Sequence, residues 1–356
     1  MKFGIIGLGS KSTMMILKEA ENYFSVVKFM DIRKIEIKLN SKINILYNGK
    51  PIEKFDCLYL KGSYRYSTLL YALTELLKNE TYIPIDSNAH IIAHNKFLTH
   101  LLYSQESDIK MPMTYYAPRI TETKEFLKTL NYPIIMKFPS GTHGKGVIYT
   151  ESYSSASSMI DALDIFKQPV LVQDYIEIKS DIRAIVAGDK VVACMRRKSQ
   201  DLEIRANAHQ GGTAVPYKPT TEIKKISINV AKKLKAEVCA VDLIESDYGP
   251  LVLEVNTSPG LQKITEVTKI NVADEIVSFL YKKTKSLRSK KDKKTSNKVM
   301  NNLGISNIGE SDFETELRIV NNKIVLPEFA TNFSKFSNKD NVIFRIKENE
   351  IIIKKI

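Results

Sequence analysis

A chain of 356 residues with a 43% hydrophobic share is long enough for two or three domains with buried cores. No apolar run reaches the ~18 residues that a bilayer-spanning helix needs, and the opening MKFGIIGLGS enters a strand-like run without a signal-peptide core, so a soluble, cytoplasmic protein with no membrane role is expected. The net charge of +13 is not by itself a sign of nucleic-acid binding, because seven basic residues against one acid, Asp292, fall between Lys285 and Lys298, a run that reads as a tail or linker and not as a charged groove.

In chain order, residues 1–87 alternate short strand-like runs (FGIIGL, VVKFM, CLYLKG) with helical patterns such as STLLYALTELLKN, which predicts a small open α/β domain. Gly7 and Gly9 are like the first turn of a dinucleotide fold, but Ser12 stands where the third glycine would fall, so the Gly-x-Gly-x-x-Gly pattern fails. Residues 88–169 hold a predicted helix (IIAHNKFLTHLLYSQ), the strand-like YPIIMKF, the glycine-rich SGTHGKGV and a second helix near SSASSMIDALDIF. In residues 170–284 strands dominate (VLVQDYI, IRAIVA, KVVACMRR, VCAVDLI, PLVLEVN) around one helix, TEIKKISINVAKKLKA, whose Ile223, Ile226, Val230 and Leu234 share a face. Residues 285–316 read as a basic polar linker, and 317–356 as a small β-rich unit, too short to bury a core alone. Cys57, Cys194 and Cys239 are single, far apart and set in apolar runs, as reduced core thiols are.

The chemistry concentrates in VDLIESDYGPLVLEVNTSPG. Two apolar runs flank a polar turn, so a hairpin centred near Tyr248 sets Asp242 across from Glu254, and strand alternation adds Asn256 to the same face. Carboxylates interrupting apolar strands beside an amide suit Mg²⁺, which completes its shell with phosphate and water. Lys137, inside the strand-like IIMKF, is costly there unless it meets an anion. The small side chains around Gly141, Gly144 and Gly146 would let backbone N–H groups close on phosphate oxygens. Gln173, Asp174, Tyr175 and Ile176 end an apolar strand where backbone groups could read an adenine edge. Asp181, Arg183, Arg197, Arg205 and Asn207 form a further polar set, in which Asp181, Arg183 and Asn207 are expected to meet the nucleotide and Arg205, with Lys137, to be catalytic. Arg205 is the residue expected beside a transferring phosphate, while Arg196 and Arg197 read equally as surface charges on a strand end.

The order and spacing of HNKFLTHLL, YPIIMKFPSGTHGKGV, VQDYI, SDIRAIVAGDKVVACMRR, EIRANAHQGGTA, VDLI and LVLEVNTSPGL resemble the RimK-like branch of the ATP-grasp superfamily over roughly residues 1–284. The resemblance implies an ATP-grasp fold of α/β and α+β parts: a pre-ATP-grasp domain (1–87), then two subdomains (88–169 and 170–284) that hold ATP between them. It also implies that Lys96 and Lys137 bind nucleotide, Gln173 to Ile176 contact adenine, and Asp181 is the ribose or substrate-side acid. By the same resemblance Arg205 is catalytic, and Asp242, Glu254 and Asn256 hold metal, two Mg²⁺ ions with Mn²⁺ as a substitute.

Members of that branch attach amino acids, often L-glutamate, to a carboxylate on a protein or small molecule. This sequence departs from the pattern at His209-Gln210-Gly211-Gly212, where Arg-Gly-Gly is expected, which leaves the bound carboxylate or amino acid open. NNKIVLPEF and KENEIIIKKI resemble an AbrB-type swapped-hairpin module, which implies a homo-oligomer and, as the competing reading of the whole chain, a nucleotide-sensing DNA-binding regulator. A biotin-dependent carboxylase subunit fits the segments less well. The favoured expectation is an ATP-dependent ligase that activates a carboxylate as an acyl phosphate and passes it to an amine.

Overall fold

The computed structural model describes residues 1–41, 43–141, 146–177, 180–198, 213–247, 249–302, 318–320, 323–326, 337, 340–348 and 350–355. The chain divides into two compact units, Met1–Lys291 and Asp292–Ile356. The first opens with β1 (Lys2–Gly7), α1 (Lys11–Ala20) and β2 (Val26–Asp31). After a small antiparallel meander of β3 (Ile35–Leu39), β4 (Ile43–Tyr47) and β5 (Lys50–Pro51), which the sequence reading passes over, come β6 (Cys57–Leu60) and α2 (Ser67–Leu77). β1 lies between β2 and β6 in a parallel sheet. Phe3, Ile5, Ile6, Leu58, Tyr59 and Leu60 are all buried, which is why these strands read as continuous apolar runs and not as alternating ones.

The single helix expected at IIAHNKFLTHLLYSQ is two: α3 (Ser87–Ile92) and α4 (Lys96–Tyr103). The break has a local cause. Asn95 leaves helical geometry and its side chain accepts from the Phe97 and Leu98 backbone N–H groups, the N-cap role for which Asn is favoured. Next come β7 (Thr114–Tyr116), α5 (Ile120–Leu127), β8 (Ile134–Lys137), β9 (Val147–Thr150), α6 (Tyr153–Ile165) and β10 (Leu171–Asp174). They build an antiparallel sheet in the order β7-β10-β8-β9 over a core of Leu127, Ile134, Met136, Ile160 and Val172. The boundary expected before Val170 therefore moves to after Asp174, because β10 hydrogen-bonds between β7 and β8.

The largest sheet runs β13-β12-β11-β14-β15, from β11 (Ser180–Ala187), β12 (Lys190–Lys198), β13 (Thr213–Pro216), β14 (Val238–Ser246) and β15 (Gly249–Asn256). On it packs α7 (Thr221–Leu234), capped by Thr220 and stopped by Lys235 at φ 57, with Ile223, Ile226, Val230 and Leu234 buried. All three cysteines are free and buried, as expected. After α8 (Gln262–Thr268), α9 (Val272–Asn302) overturns part of the linker expectation, since residues 285–302 are helical. Its first turns are anchored by buried Val272, Ile276, Val277 and Leu280, and the Lys-rich continuation is made of good helix formers that can propagate from that anchored start.

The second unit contains two hairpins, β16 (Arg318–Val320) with β17 (Lys323–Val325) and β18 (Val342–Lys347) with β19 (Glu350–Lys355). Ile343, Phe344, Ile346 and Ile351 are exposed on the second hairpin. Among the described residues no helix is long and apolar enough to cross a membrane.

Candidate active site

The β14–β15 hairpin sets Asp242 opposite Glu254, as the sequence predicts, but by a different route. Ser246 pairs with Gly249, and that register continues to Leu243 with Val252, so a plain ladder would set Asp242 against Leu253. A bulge between the Asp242–Glu254 and Leu243–Val252 pairs adds one residue, Leu253, to β15 and moves Glu254 into the facing position. Bulges are a common means of re-aiming a side chain. Glu254 and Asn256 then line a narrow cavity with His94, Lys96, Thr99, His100 and Gly141.

Around that cavity the cations are held by specific contacts. Lys96 donates from Nζ to the Gly141 carbonyl at 3.1 Å, and its backbone N–H donates to the Pro139 carbonyl at 2.8 Å, so the start of α4 is fastened to the glycine-rich loop. Lys137 donates to Gln173 Oε1. Burial, reinforced by Lys96 and opposed by Glu254, brings the Lys137 amine down to about 8. Gln173 is buried, and its amide donates to Thr114 Oγ1 at 2.7 Å and lies 3.1 Å from His100 Nε2. Burial, then Lys137, hold His100 down at about 4, so the imidazole is neutral near pH 7 and its Nε2 accepts from Gln173. The Gln173 side chain is thus a bracket for Lys137. Of the proposed adenine readers, Asp174 already donates its N–H to the Met113 carbonyl at 3.1 Å, and Tyr175 and Ile176 follow the strand outside its ladder. Gly146, at φ 80, closes the loop against Phe138, whose ring atom lies 2.3 Å from where a Cβ would sit, so any side chain there would clash as well as be strained.

A second charged group lies across the large sheet. Arg183 donates to both oxygens of Asp242 at 2.7 and 2.6 Å. Arg197 donates to both oxygens of Asp181, one at 2.9 Å, and its Nη2 lies 3.0 Å from Asp242 Oδ2. Arg197, Asp181 and Asp242 are buried. For Asp242, burial pushes the carboxyl up, but Arg183 and Arg197 outweigh it and hold it down at about 2. The two readings left open for Arg196 and Arg197 therefore separate: Arg196 pairs with exposed Glu245 at 2.6 Å, while Arg197 is the hub of the buried network. Asp181 and Arg183, expected to meet nucleotide or substrate, spend their charge on Arg197 and Asp242 in this state. Gly144, Arg205 and Asn207 lie outside the described residues.

Glu254 fits a cation site better than its neighbours do. Among the described residues no hydrogen bond or ion pair reaches its carboxylate. Burial, then Asp242, raise its carboxyl against the pull of Lys96, Arg183 and Lys137. A half-buried, desolvated carboxylate in that condition is stabilised by a cation. Among the described residues no group of three or more His, Cys, Asp and Glu gathers; the oxygen side chains that line the cavity are Glu254 and Asn256, hard donors of the kind Mg²⁺ takes, while Asp242 does not line it and has both oxygens engaged by Arg183 and Arg197. His94, His100 and Thr114 were not singled out in the sequence. His100 was within reach of an argument, since it lies four positions after Lys96 and so on the same helix face.

The fold, compared with known proteins, is that of an ATP-grasp carbon–nitrogen ligase. The RimK-like ATP-grasp domain model matches residues 93–280, and the chain belongs to that family. A probable alpha-L-glutamate ligase of Legionella pneumophila (strain Corby) is 38% identical over 248 residues, covering 68% of this chain and 81% of the relative. One of Pseudoalteromonas translucida is 33% identical over 295 residues, covering 80% and 97%. Among solved structures, the ATP-grasp ligase PsnB complexed with a phosphomimetic variant of its minimal precursor, Mg and ADP superposes with a TM-score of 0.62 at 16% identity, over 79% of this chain and 98% of that one.

Proposed function

We propose that the protein uses Mg²⁺ and ATP to activate a carboxylate as an acyl phosphate and joins it to the amine of an amino acid, with L-glutamate the first candidate. The observation that carries this reading is the single cavity that gathers Lys96, Gly141, Glu254 and Asn256 with Lys137 electrostatically coupled to Lys96 and Glu254. Two lysines suit the phosphates and the oxygen donors suit a divalent cation. Mg²⁺, when bound, would screen the phosphate charge. Asp242, Glu254 and Asn256 are the residues proposed to hold it. Lys137, kept in place by Gln173, and Lys96, fastened to Gly141, are proposed to orient the nucleotide, and positioning with electrostatics would carry the rate.

L-glutamate is favoured because relatives at 33–38% identity are named as probable alpha-L-glutamate ligases. The nucleotide-sensing regulator is disfavoured because relatives at 33–38% identity over 68–80% of this chain are named as probable ligases. The exposed apolar residues of β18 and β19 support a role for the second unit in self-association. The test of the site is calorimetric titration with AMPPNP, with and without Mg²⁺, on the wild type and on Lys137→Ala. Metal-dependent binding that weakens in the variant is expected, and binding that is equal in both proteins and indifferent to Mg²⁺ would count against the assignment.

A further inference from the structure

The proposed chemistry uses the second and third sheets and gives the amino-terminal parallel sheet no part, yet that sheet is bonded to the segment that follows Asn256. The Gly62 backbone N–H donates to Ser258 Oγ at 3.0 Å, and the Lys61 ammonium donates to the Pro259 carbonyl at 3.5 Å. The Leu261 backbone N–H donates to Ser12 Oγ at 2.8 Å, and the Ser12 hydroxyl donates to Gln262 Oε1 at 2.9 Å. Ser12 is thus explained as more than a missing third glycine, since its hydroxyl is one jaw of this junction. Gly7 allows the close approach, because a Cβ there would meet the Lys61 carbonyl oxygen at 3.2 Å.

Lys61 is an expensive residue at this point. It is 4% exposed, burial lowers its amine to about 8, and its other contact is the Tyr59 ring, 5.4 Å from Nζ to the centroid. Among the described residues no carboxylate pairs with it. An apolar side chain of similar length would fill the space without the cost of desolvating a charge, so stability alone does not account for a lysine. Asn256 is the last residue of β15, paired with Ala240. Beyond it no ladder fixes the backbone, and the direction of the Asn256 side chain depends on what holds residues 258–262.

We propose that Lys61, Ser12 and Ser258 form a clamp that fixes the backbone after Asn256 and thereby positions Asn256 for the divalent cation, making them positioning residues for metal binding. The inference rests on the reading of Glu254 and Asn256 as metal ligands. Groups that orient a ligand from behind typically change metal affinity by about 10- to 100-fold when removed.

The test is a Mn²⁺ titration of the full-length protein saturated with AMPPNP, with free Mn²⁺ read by electron paramagnetic resonance, on the wild type, Lys61→Met, Ser12→Ala, Ser258→Ala and Glu254→Gln. About tenfold weaker Mn²⁺ binding is expected in Lys61→Met, and a smaller weakening in each serine variant, with AMPPNP affinity in the absence of metal unchanged within about twofold. If Lys61→Met does not fold, the two serine variants decide by the same comparison. Mn²⁺ affinity equal to wild type in the folded clamp variants, whatever their melting temperatures, would overturn the clamp. Wild-type Mn²⁺ affinity in Glu254→Gln would overturn the ligand reading and the clamp with it, so the two failures are told apart.

Discussion

Replacing Arg197 by Met should be among the most damaging single changes in the large sheet. The guanidinium holds both oxygens of Asp181 and reaches Asp242 at 3.0 Å, with Asp181 3% and Asp242 6% exposed. Asp242 keeps Arg183 in the variant, but Asp181 is left as a buried carboxylate without a partner. Breaking a buried pair in this way costs roughly 3–5 kcal/mol, or a fall in melting temperature of roughly 6–15 °C for a body of this size. The pH dependence gives the cause away. Burial already raises the Asp181 carboxyl in the wild type, against the pull of Arg197; without Arg197 it rises further, so the folded variant takes up protons at higher pH than the wild type does, and its deficit should shrink as the pH falls from about 7 to about 5. In the wild type Asp242 contributes no slope in that window, because Arg183 and Arg197 hold its carboxyl down at about 2; in the variant only Arg183 opposes its burial, so any rise in Asp242 acts in the same direction as Asp181. Adding Asp181→Asn should recover much of the loss. Thermal unfolding of the three proteins at both pH values is the assay. A deficit below about 1 kcal/mol, or one that does not change with pH, would refute the assignment of Arg197 as the hub.

Glu254→Gln should keep the fold and the nucleotide but lower ADP formation at least tenfold, by analogy with the ~10- to 100-fold effects of altering metal-site support, and full turnover at saturating Mg²⁺ would count against it as a metal ligand. Lys137 titrates near 8 in the free site and would be driven to its charged form by phosphate, so AMPPNP binding near pH 8 should take up about half a proton; calorimetry in buffers of different ionisation enthalpy measures this, and zero uptake would speak against a phosphate contact. Asn95→Ala should cost about 1 kcal/mol as a lost helix cap and also weaken nucleotide binding, because the same turn carries Lys96; urea unfolding and titration would separate the two effects. A chain ending at Lys291 should retain catalysis and lose any self-association made through the second unit, which light scattering beside an ADP assay checks; abolished catalysis with an unchanged oligomeric state would reverse the roles assigned to the two units.

The sequence carried the β14–β15 hairpin because apolar runs interrupted by Asp242, Glu254 and Asn256 leave few ways to pair the strands. What it did not carry was the bulge at Leu253, an effect of backbone geometry with no side-chain signature of its own. Arg197 was ambiguous for a related reason: a charge on a strand end is exposed unless a partner waits on the neighbouring strand, and Asp181 and Asp242 are distant in sequence. Asn95 carried a legible capping signal inside an otherwise helical pattern, and periodicity overrode it. The Lys-rich run after Thr284 was read as a linker because charge runs are usually solvated. A solvated face and a helix are compatible, and residues 285–302 are both charged and helical.

The central claim is that this chain forms an amide from a carboxylate and an amino acid at the expense of ATP. It is tested most directly by incubating the full-length protein with ATP, Mg²⁺ and isotope-labelled L-glutamate against a fractionated cell extract, following label incorporation by mass spectrometry and ADP and phosphate release together. The account predicts one fraction that gains amide-linked glutamate with one ADP and one phosphate released per residue added. Phosphate release with no mass gain for glutamate or any other amino acid, across all fractions, would contradict it.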